Sequence, residues 1–402
     1  MNILTQELGF VIPTDQSCKL TIDGITEVFR VYKVRLDLLF YNEQNDRIAT
    51  WISQYKSTHG DHAPNASDRV VYNELIEDFI IQSSPETIEK TQTNIALVGQ
   101  REPGVVLADG RIIDGNRRFT CLRRLSAKND RFNYFETIIL DRDIESSAKQ
   151  IKMLELSIQH GEESKVEYNI IDRLVGVYND IVATGLLSVS EYARSTNEGE
   201  NEVKKRVEVA ELMVEFLEFI NAPKQFYVVR DMQIGGALEE LPTLLKKCTS
   251  DDEREDLKIV AFTNLLMKPA GDIRNFMRKI RTLASSSYLP EYVEEQKEIA
   301  VKVIDRLPPV GQVNDAVIRD QIRADGSVVM ELENSLEKAL AKTKRTEARN
   351  QPVTLIEKAT NLLESIDTGI FRKLNDSELQ RVKRQLSRLE ETIEEIRSGL
   401  DE

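Results

Sequence analysis

The sequence predicts an α+β protein, with a mixed α/β N-terminal domain, all-helical domains after it and a coiled-coil-like C-terminal helix. Three observations carry this. Period-two runs rich in β-branched residues occur only in the first third of the chain. From Ile144 onward glycine and proline thin out and helical periodicity takes over. Near the end, Leu379, Val382, Leu386, Leu389, Ile393, Ile396 and Leu400 recur by threes and fours, an a/d seam. At 402 residues the chain exceeds one ordinary core, and the boundaries fall at 1–145, 146–310 and 325–402.

The elements follow in order. EVFRVYKVRLDLLF (Glu27 to Phe40) alternates with period two and reads as a strand. NDRIATWISQYKS spaces Ile48, Trp51, Ile52 and Tyr55 helically, and DRVVYNELIEDFIIQ is a second amphipathic helix. Ser84 and Pro85 suit the N-cap and first position of a third. GVVLA, the turn Asp109-Gly110 and RIID form a hairpin. Asp114-Gly115-Asn116 breaks the second strand, a helix runs from about Arg117 to Ala127, and FNYFETIIL (Phe132 to Leu140) is a further strand.

In the helical part, Ser188 with Glu191 forms a capping box. Val203, Val207, Ala210, Val214 and Leu217 make one apolar stripe. Leu332 to Leu340 and Leu355 to Ile366 offer two more helices, separated by the basic stretch KTKR. The final seam needs a partner helix. An intramolecular bundle and a homodimer both satisfy it, and the homodimer is the preferred reading.

Composition narrows the function. A net charge of -14 disfavours broad binding to phosphate backbones but leaves room for a local basic site. The cysteines, Cys18, Cys121 and Cys248, lie far apart, which fits a reducing cytoplasm. His59 and His62 sit in a polar loop without cysteines nearby and read as surface residues, so no metal ligands are assigned. The N-terminus has no basic segment followed by an apolar core, and no run reaches the ~18 apolar residues of a membrane span, so the expectation is a cytoplasmic protein without a membrane partner.

The stretch RIIDGNRRFTCLRRL (Arg111 to Leu125) concentrates five arginines in this acidic chain. Gly115 after a strand lets backbone approach a ligand closely. The first turn of the next helix carries N–H groups outside the helical ladder and a partial positive charge. Arg117 and Arg118 stand on that turn, where the helix dipole alone would not favour cations. They want an anion, and either a neighbouring carboxylate (Asp109 or Asp114) or a phosphate answers that need.

With its flanks, VVLADGRIIDGNRRFTCLRRL resembles the core signature of the ParB/sulfiredoxin-like superfamily, of ParB N-terminal domain type. In that family a strand hairpin leads into a Gly-x-Arg-Arg turn that binds nucleotide phosphates. The resemblance spans roughly residues 25 to 145. It implies that Asp114, Gly115, Asn116, Arg117, Arg118, Phe119 and Thr120 form the phosphate turn. GQREPGVV resembles the family segment before the hairpin, which implies that Gln100, Arg101, Glu102 and Pro103 approach base or sugar. YNEQNDRI resembles the segment after the first strand, which implies that Asn45 and Arg47 close the site.

ELSIQHGEESKVEY resembles the segment joining the nucleotide domain to a helix-turn-helix. Leu156 and Ser157 stand where CTP-binding relatives place a Glu-Asn pair, with Glu155 one residue off, which speaks against metal-assisted CTP hydrolysis. Asn116 stands where sulfiredoxin needs its cysteine, which speaks against that reaction. Cys121 reads as a small buried apolar residue.

The resemblance thus implies a dimeric switch that holds a nucleoside triphosphate, CTP or ATP, with or without Mg2+. It would act in a DNA-associated process such as partition or phage defence. Two other classes stay open. One is a weak nucleoside triphosphatase or a nuclease, for which Glu102, Asp109 and Asp114 are the available carboxylates and no catalytic residue is assigned. The other is a DNA-binding adaptor, with or without a further protein partner. In that reading Ser188 to Ile220 forms a helix-turn-helix whose second helix opens with Lys204, Lys205 and Arg206. Glu208, Glu211, Glu215 and Glu218 crowd the rest of that helix, and the polar stretch STNEGEN reads as a longer turn than such a motif has.

Overall fold

The computed structural model of the chain describes residues 3–5, 9–22, 25–141, 144–160 and 169–400. It contains two compact units, Met1–Leu340 and Ala341–Glu402. The first opens on a five-stranded mixed sheet. Its strands are β1 (Val11–Ile22), β2 (Ile25–Arg35), β3 (Gly104–Leu107), β4 (Ile112–Asp114) and β5 (Tyr134–Leu140), in the spatial order β1-β2-β5-β3-β4. β3 and β5 run parallel, and the other pairs are antiparallel. β1 has no counterpart in the sequence reading. Its apolar residues are sparse and it carries Pro13. At a sheet edge that proline needs no partner for a missing N–H, and the register shifts between Pro13 and Ser17.

The strand expected over Glu27 to Phe40 ends at Arg35 and turns into a short 3-10 segment, Leu36–Leu38. Helices α1 (Ala49–Thr58), α2 (Arg69–Ser83), α3 (Pro85–Val98) and α4 (Asn116–Ser126) follow the expected order. Pro85 is at the start of α3, but the Ser84 side chain makes no capping bond there. Asp68 caps α2 instead, accepting from the Val70 and Val71 N–H groups.

Period two divides the sheet between two cores. Val106, Ile112 and Ile139 face α2, α3 and α4, where Ile76, Ile88, Phe119 and Cys121 are buried. Val105, Ile113, Ile138 and Leu140 face the other way, onto Ile151 and Leu154 of α5 (Ile144–His160). Cys121 is fully buried, as the sequence reading expects, and burial pushes its thiol pKa up to about 12.

The remainder of this unit is helical around its own large core. It includes α6 (Ile170–Val177), a π-helical turn (Tyr178–Ala183), α7 (Val189–Thr196) and α8 (Glu200–Phe219). The Ser188–Glu191 capping box is present at the start of α7. The turn between α7 and α8 spans only residues 197–199, shorter than STNEGEN suggested. Thr196 still belongs to α7, Asn197 closes that helix in the left-handed conformation, and Glu200 already belongs to α8. Polar residues that read as loop are helix ends here.

A second correction concerns the region after residue 325. One helix, Gly326–Glu364, replaces the two expected, with Pro352 inside it. The final helix runs over Asp376–Ser398 and opens on a capping box of Asn375 and Glu378. None of its residues is buried, and Leu379, Val382 and Leu389 of the seam are half-buried.

A candidate anion cleft at the start of helix α4

The turn that breaks β4 builds the site. Gly115 has φ +97°, a left-handed conformation, and a Cβ there would meet the Phe135 ring at 2.7 Å. Glycine is therefore required on both counts, backbone conformation and space. The first bond of the α4 ladder runs from the Phe119 N–H to the Gly115 carbonyl at 2.9 Å. The preceding N–H groups lie ahead of the ladder and face the cleft end of the helix.

A cleft of about 300 Å³ opens at this turn. Asn45, Arg47, Glu102, Asp114, Gly115, Asn116, Arg117 and Arg118 all line it, so one site gathers residues drawn from three separate stretches of the sequence. Three arginines face two carboxylates across it. Asn45 and Arg47 come from a 3-10 turn, Asp46–Ile48, in which the Asn45 side chain accepts from the Arg47 N–H at 3.1 Å. A larger cleft of about 880 Å³ lies at the far end of α4, but four basic and four acidic side chains cancel there.

Arg118 already has carboxylate partners. It donates to Asp114 Oδ2 at 2.7 Å and to Glu102 Oε2 at 3.0 Å. Of the two anions that could answer the arginines, Asp114 thus serves Arg118. Two buried polar atoms at the turn nevertheless lack a partner, the Arg118 Nε–H and the Asn116 side-chain oxygen. An amide can flip end for end, so Asn116 can offer either a donor or an acceptor. An orphaned guanidinium N–H beside a helix N-terminus is what an anion would satisfy.

The structure places other expected site residues elsewhere. Gln100 is tied to the sheet: its side-chain amide donates to the Glu136 carbonyl at 2.6 Å and accepts from the Glu136 N–H at 2.9 Å. It extends the hydrogen bonding of β5 and does not line the cleft. Arg101 is exposed and Pro103 half-buried, and neither lines it. The Phe119 ring is fully buried and packs on Tyr41 and Phe135. The Thr120 hydroxyl donates to the Asn116 carbonyl and lies 2.8 Å from the Tyr41 hydroxyl. Both side chains belong to the core, because helical period turns them away from the first turn's face.

The other arginines of the stretch divide as well. Arg123 donates to Glu77 at 2.5 Å, Arg124 is exposed, and Arg111 stays by the hairpin near Asp109.

The sequence reading missed the group beneath the cleft. Gln159 of α5 lines the cleft and donates to Glu155 at 3.0 Å. One and two turns back, Glu155 and Lys152 are buried. Lys152 Nζ lies 2.8 Å from Asp46 Oδ1, 3.5 Å from Asp180 Oδ2 and 3.8 Å from Glu155 Oε2. Asp46 is the neighbour of Arg47, and Asp180 belongs to the π-helical turn. A Cβ on Gly176 of α6 would meet the Asp46 carboxylate at 2.7 Å, so glycine lets the carboxylate pack there.

Burial works against the Lys152 ammonium, but Asp46, Glu155 and Asp180 outweigh it and hold it protonated. Burial raises Glu155 to about 8 and Asp180 to about 7, although Lys152 opposes both. The signal in the sequence was Lys152, Glu155 and Gln159 at helical spacing, interleaved with the apolar residues Ile151, Leu154, Leu156 and Ile158. Leu156 is fully buried, and the Ser157 hydroxyl donates to the Leu154 carbonyl. Of ELSIQHGEESKVEY, residues 161–168 lie outside the described residues.

In the candidate helix-turn-helix, Lys204 and Lys205 are exposed at the start of α8. Arg206 is half-buried and donates to Glu198 Oε2 at 2.5 Å. Among the described residues no group of three or more His, Cys, Asp or Glu side chains is arranged to hold a metal, and no helix is long and apolar enough to cross a membrane.

No family model matches this chain, and no curated protein does. Among solved structures, a C2221 crystal form of a Pnob8-like ParB-N domain is similar at 14% identity and a TM-score of 0.29. The match covers 66% of this chain and 99% of that one. A likeness at that TM-score has no bearing on the site.

Proposed function

We propose that the cleft at the start of α4 binds the phosphates of a nucleoside triphosphate, CTP or ATP, and that the chain works as a ParB-like nucleotide switch in a DNA-associated process such as partition or phage defence. One observation carries the reading. Arg118, with its unpartnered Nε–H, and Asn116, with its unpartnered side-chain oxygen, line one cleft together with Arg117 and Arg47 at the N-terminal turn of a helix, behind a glycine held in the left-handed conformation. The Gly115-Asn116 backbone cradles the phosphates, Arg117 grips them, and Arg47 closes over them. If Mg2+ accompanies the nucleotide, Asp114 and Glu102 are the cleft carboxylates available to it. Binding, with little turnover, is the expected output. Thermal melting of the full chain with each of the four ribonucleoside triphosphates tests this. A rise with at least one of them that Arg117→Ala reduces supports it; no rise with any, or a rise that Arg117→Ala leaves unchanged, sinks it.

The switch reading needs a dimer. Most of the apolar seam of the last helix is exposed, with Leu386, Ile393 and Ile396 each more than two-fifths exposed and Leu379, Val382 and Leu389 half-buried. Its three-four spacing fits a second copy of the same helix. Sedimentation at micromolar concentration is expected to give a dimer, and Leu386→Glu with Ile393→Glu a monomer. A wild-type monomer would remove this part of the proposal.

The three-residue turn between α7 and α8 favours a second reading, an adaptor that presents the exposed Lys204 and Lys205 to duplex DNA. Binding would be weak and salt-sensitive in a chain of this charge. A gel shift at low salt that Lys204→Glu with Lys205→Glu leaves unchanged would exclude it.

A further inference from the structure

A second basic cleft, of about 700 Å³, lies in the helical part of the first unit. It is lined by Arg173 of α6, Lys205 and Arg206 of α8, and Arg274, Arg278 and Arg281 of the helix Ile273–Leu283. Six cations line it against three carboxylates, and a fourth, Glu198, pairs with two of the six, so an excess of positive charge remains in a chain whose net charge is -14. Its residues are distinct from those of the cleft at α4.

The arrangement is built. Arg274, Arg278 and Arg281 stand on successive turns of one helix, whose opposite face (Ile273, Phe276, Met277 and Ile280) is buried. All three converge on Glu240, a buried carboxylate. Arg274 donates to its Oε1 at 3.0 Å, Arg278 to Oε1 at 2.9 Å, and Arg281 to Oε2 at 2.9 Å. Burial opposes ionisation of Glu240, but its bonds from Arg278 and Arg274 prevail and hold its pKa below the usual range.

Each guanidinium has five N–H donors in a fixed fork, and one carboxylate cannot use those of three. Glu240 therefore fixes the forks while leaving donors for something else. At the other wall, Arg173 and Arg206 share Glu198, and the buried Arg173 Nε–H has no partner.

We infer that this cleft is a binding site for a small polyphosphate anion. The chemistry favours phosphate over a simple carboxylate, because forked donors on three successive turns suit an anion with several oxygens spread over more than one centre. The volume lies in the range of small-ligand pockets. The concavity favours a small molecule over a duplex, whose backbone is met by cations that project from a convex face, whereas these arginines are drawn in around a buried carboxylate. The inference is independent of the nucleotide reading of the first cleft.

The test uses inorganic tripolyphosphate and the full chain carrying Arg117→Ala, which silences the first cleft. Calorimetric titration is expected to show one site, weakened at least tenfold by Arg278→Gln with Arg281→Gln. Arg281→Gln alone removes one bond from a partly exposed side chain. It provides a folded comparison, checked by circular dichroism, and is expected to weaken binding several-fold. No binding to the Arg117→Ala chain, or binding that neither glutamine variant changes, overturns the inference. So does a duplex oligonucleotide or a glutamate oligomer that binds the cleft more tightly than tripolyphosphate at equal charge.

Discussion

In a chain whose second basic cleft is weakened by Arg278→Gln with Arg281→Gln, replacing Arg117 by alanine is expected to remove most of the rise in melting temperature that a nucleoside triphosphate gives, while leaving the melting point without ligand nearly unchanged. Arg117 is half-buried on the first turn of α4, and its side chain lines the cleft. A hydrogen bond to a charged group contributes about 1.5–3 kcal/mol, so losing it weakens binding roughly 10- to 150-fold. Ligand at 100 times its dissociation constant stabilises a folded chain by about 2.7 kcal/mol. A hundredfold loss of affinity leaves almost none of that. Arg118→Ala should behave differently. Its guanidinium is held between Asp114 and Glu102, so removing it strands a half-buried carboxylate and lowers the stability of the free chain by about 1–3 kcal/mol. If Arg117→Ala keeps the full nucleotide response, the assignment of that arginine is wrong.

The contrast between these neighbours marks where sequence reading ends. The strand-turn-helix around Gly115 was legible because each part has a local signature: a β-branched run, a turn, then helical spacing. Those signatures place Arg117 and Arg118 on the same helical turn but do not say what waits across from each. Which arginine meets Asp114 depends on how the hairpin lies on the helix, and Glu102 arrives from a loop whose path the sequence does not specify. Gln100 failed for the same reason. It resembles a ligand-facing residue, yet it completes a strand edge whose partner, Glu136, is 36 residues away. β1 was missed because an edge strand needs little apolar content. Lys152 was missed because a lysine on an amphipathic helix ordinarily reaches solvent. Only the approach of Asp46 and Asp180, distant in sequence, turns it into a core residue.

Lys152→Met is therefore expected to be among the most damaging single changes in this protein. The ammonium is 5% exposed and sits among Asp46, Glu155 and Asp180. Removing one side of a buried charge group costs about 3–5 kcal/mol, because the remaining charges lose their partner and cannot recover water. The pH dependence distinguishes this from a packing defect. Glu155 and Asp180 have folded pKa values raised to about 8 and about 7, from ordinary values of 4.5 and 3.8. A carboxyl raised in this way holds its proton more tightly when folded, so its contribution is complete at acid pH and is lost as pH rises through its folded value. In the methionine variant the opposing lysine is gone and both carboxyls hold their protons more strongly still. The loss of stability should then be smallest near pH 5 and grow towards pH 8, as read from urea denaturation at three pH values. Adding Glu155→Gln and Asp180→Asn to Lys152→Met takes away two of the stranded carboxyls, and should return part of the stability and flatten the pH profile. A loss that is the same at pH 5 and pH 8, or below about 1 kcal/mol, would mean that the cluster does not hold this region together. Asp46 sits beside Arg47 at the cleft, and Asp180 sits in the π-helical turn of the helical part. A loosened cluster should therefore also weaken any response that passes from one to the other.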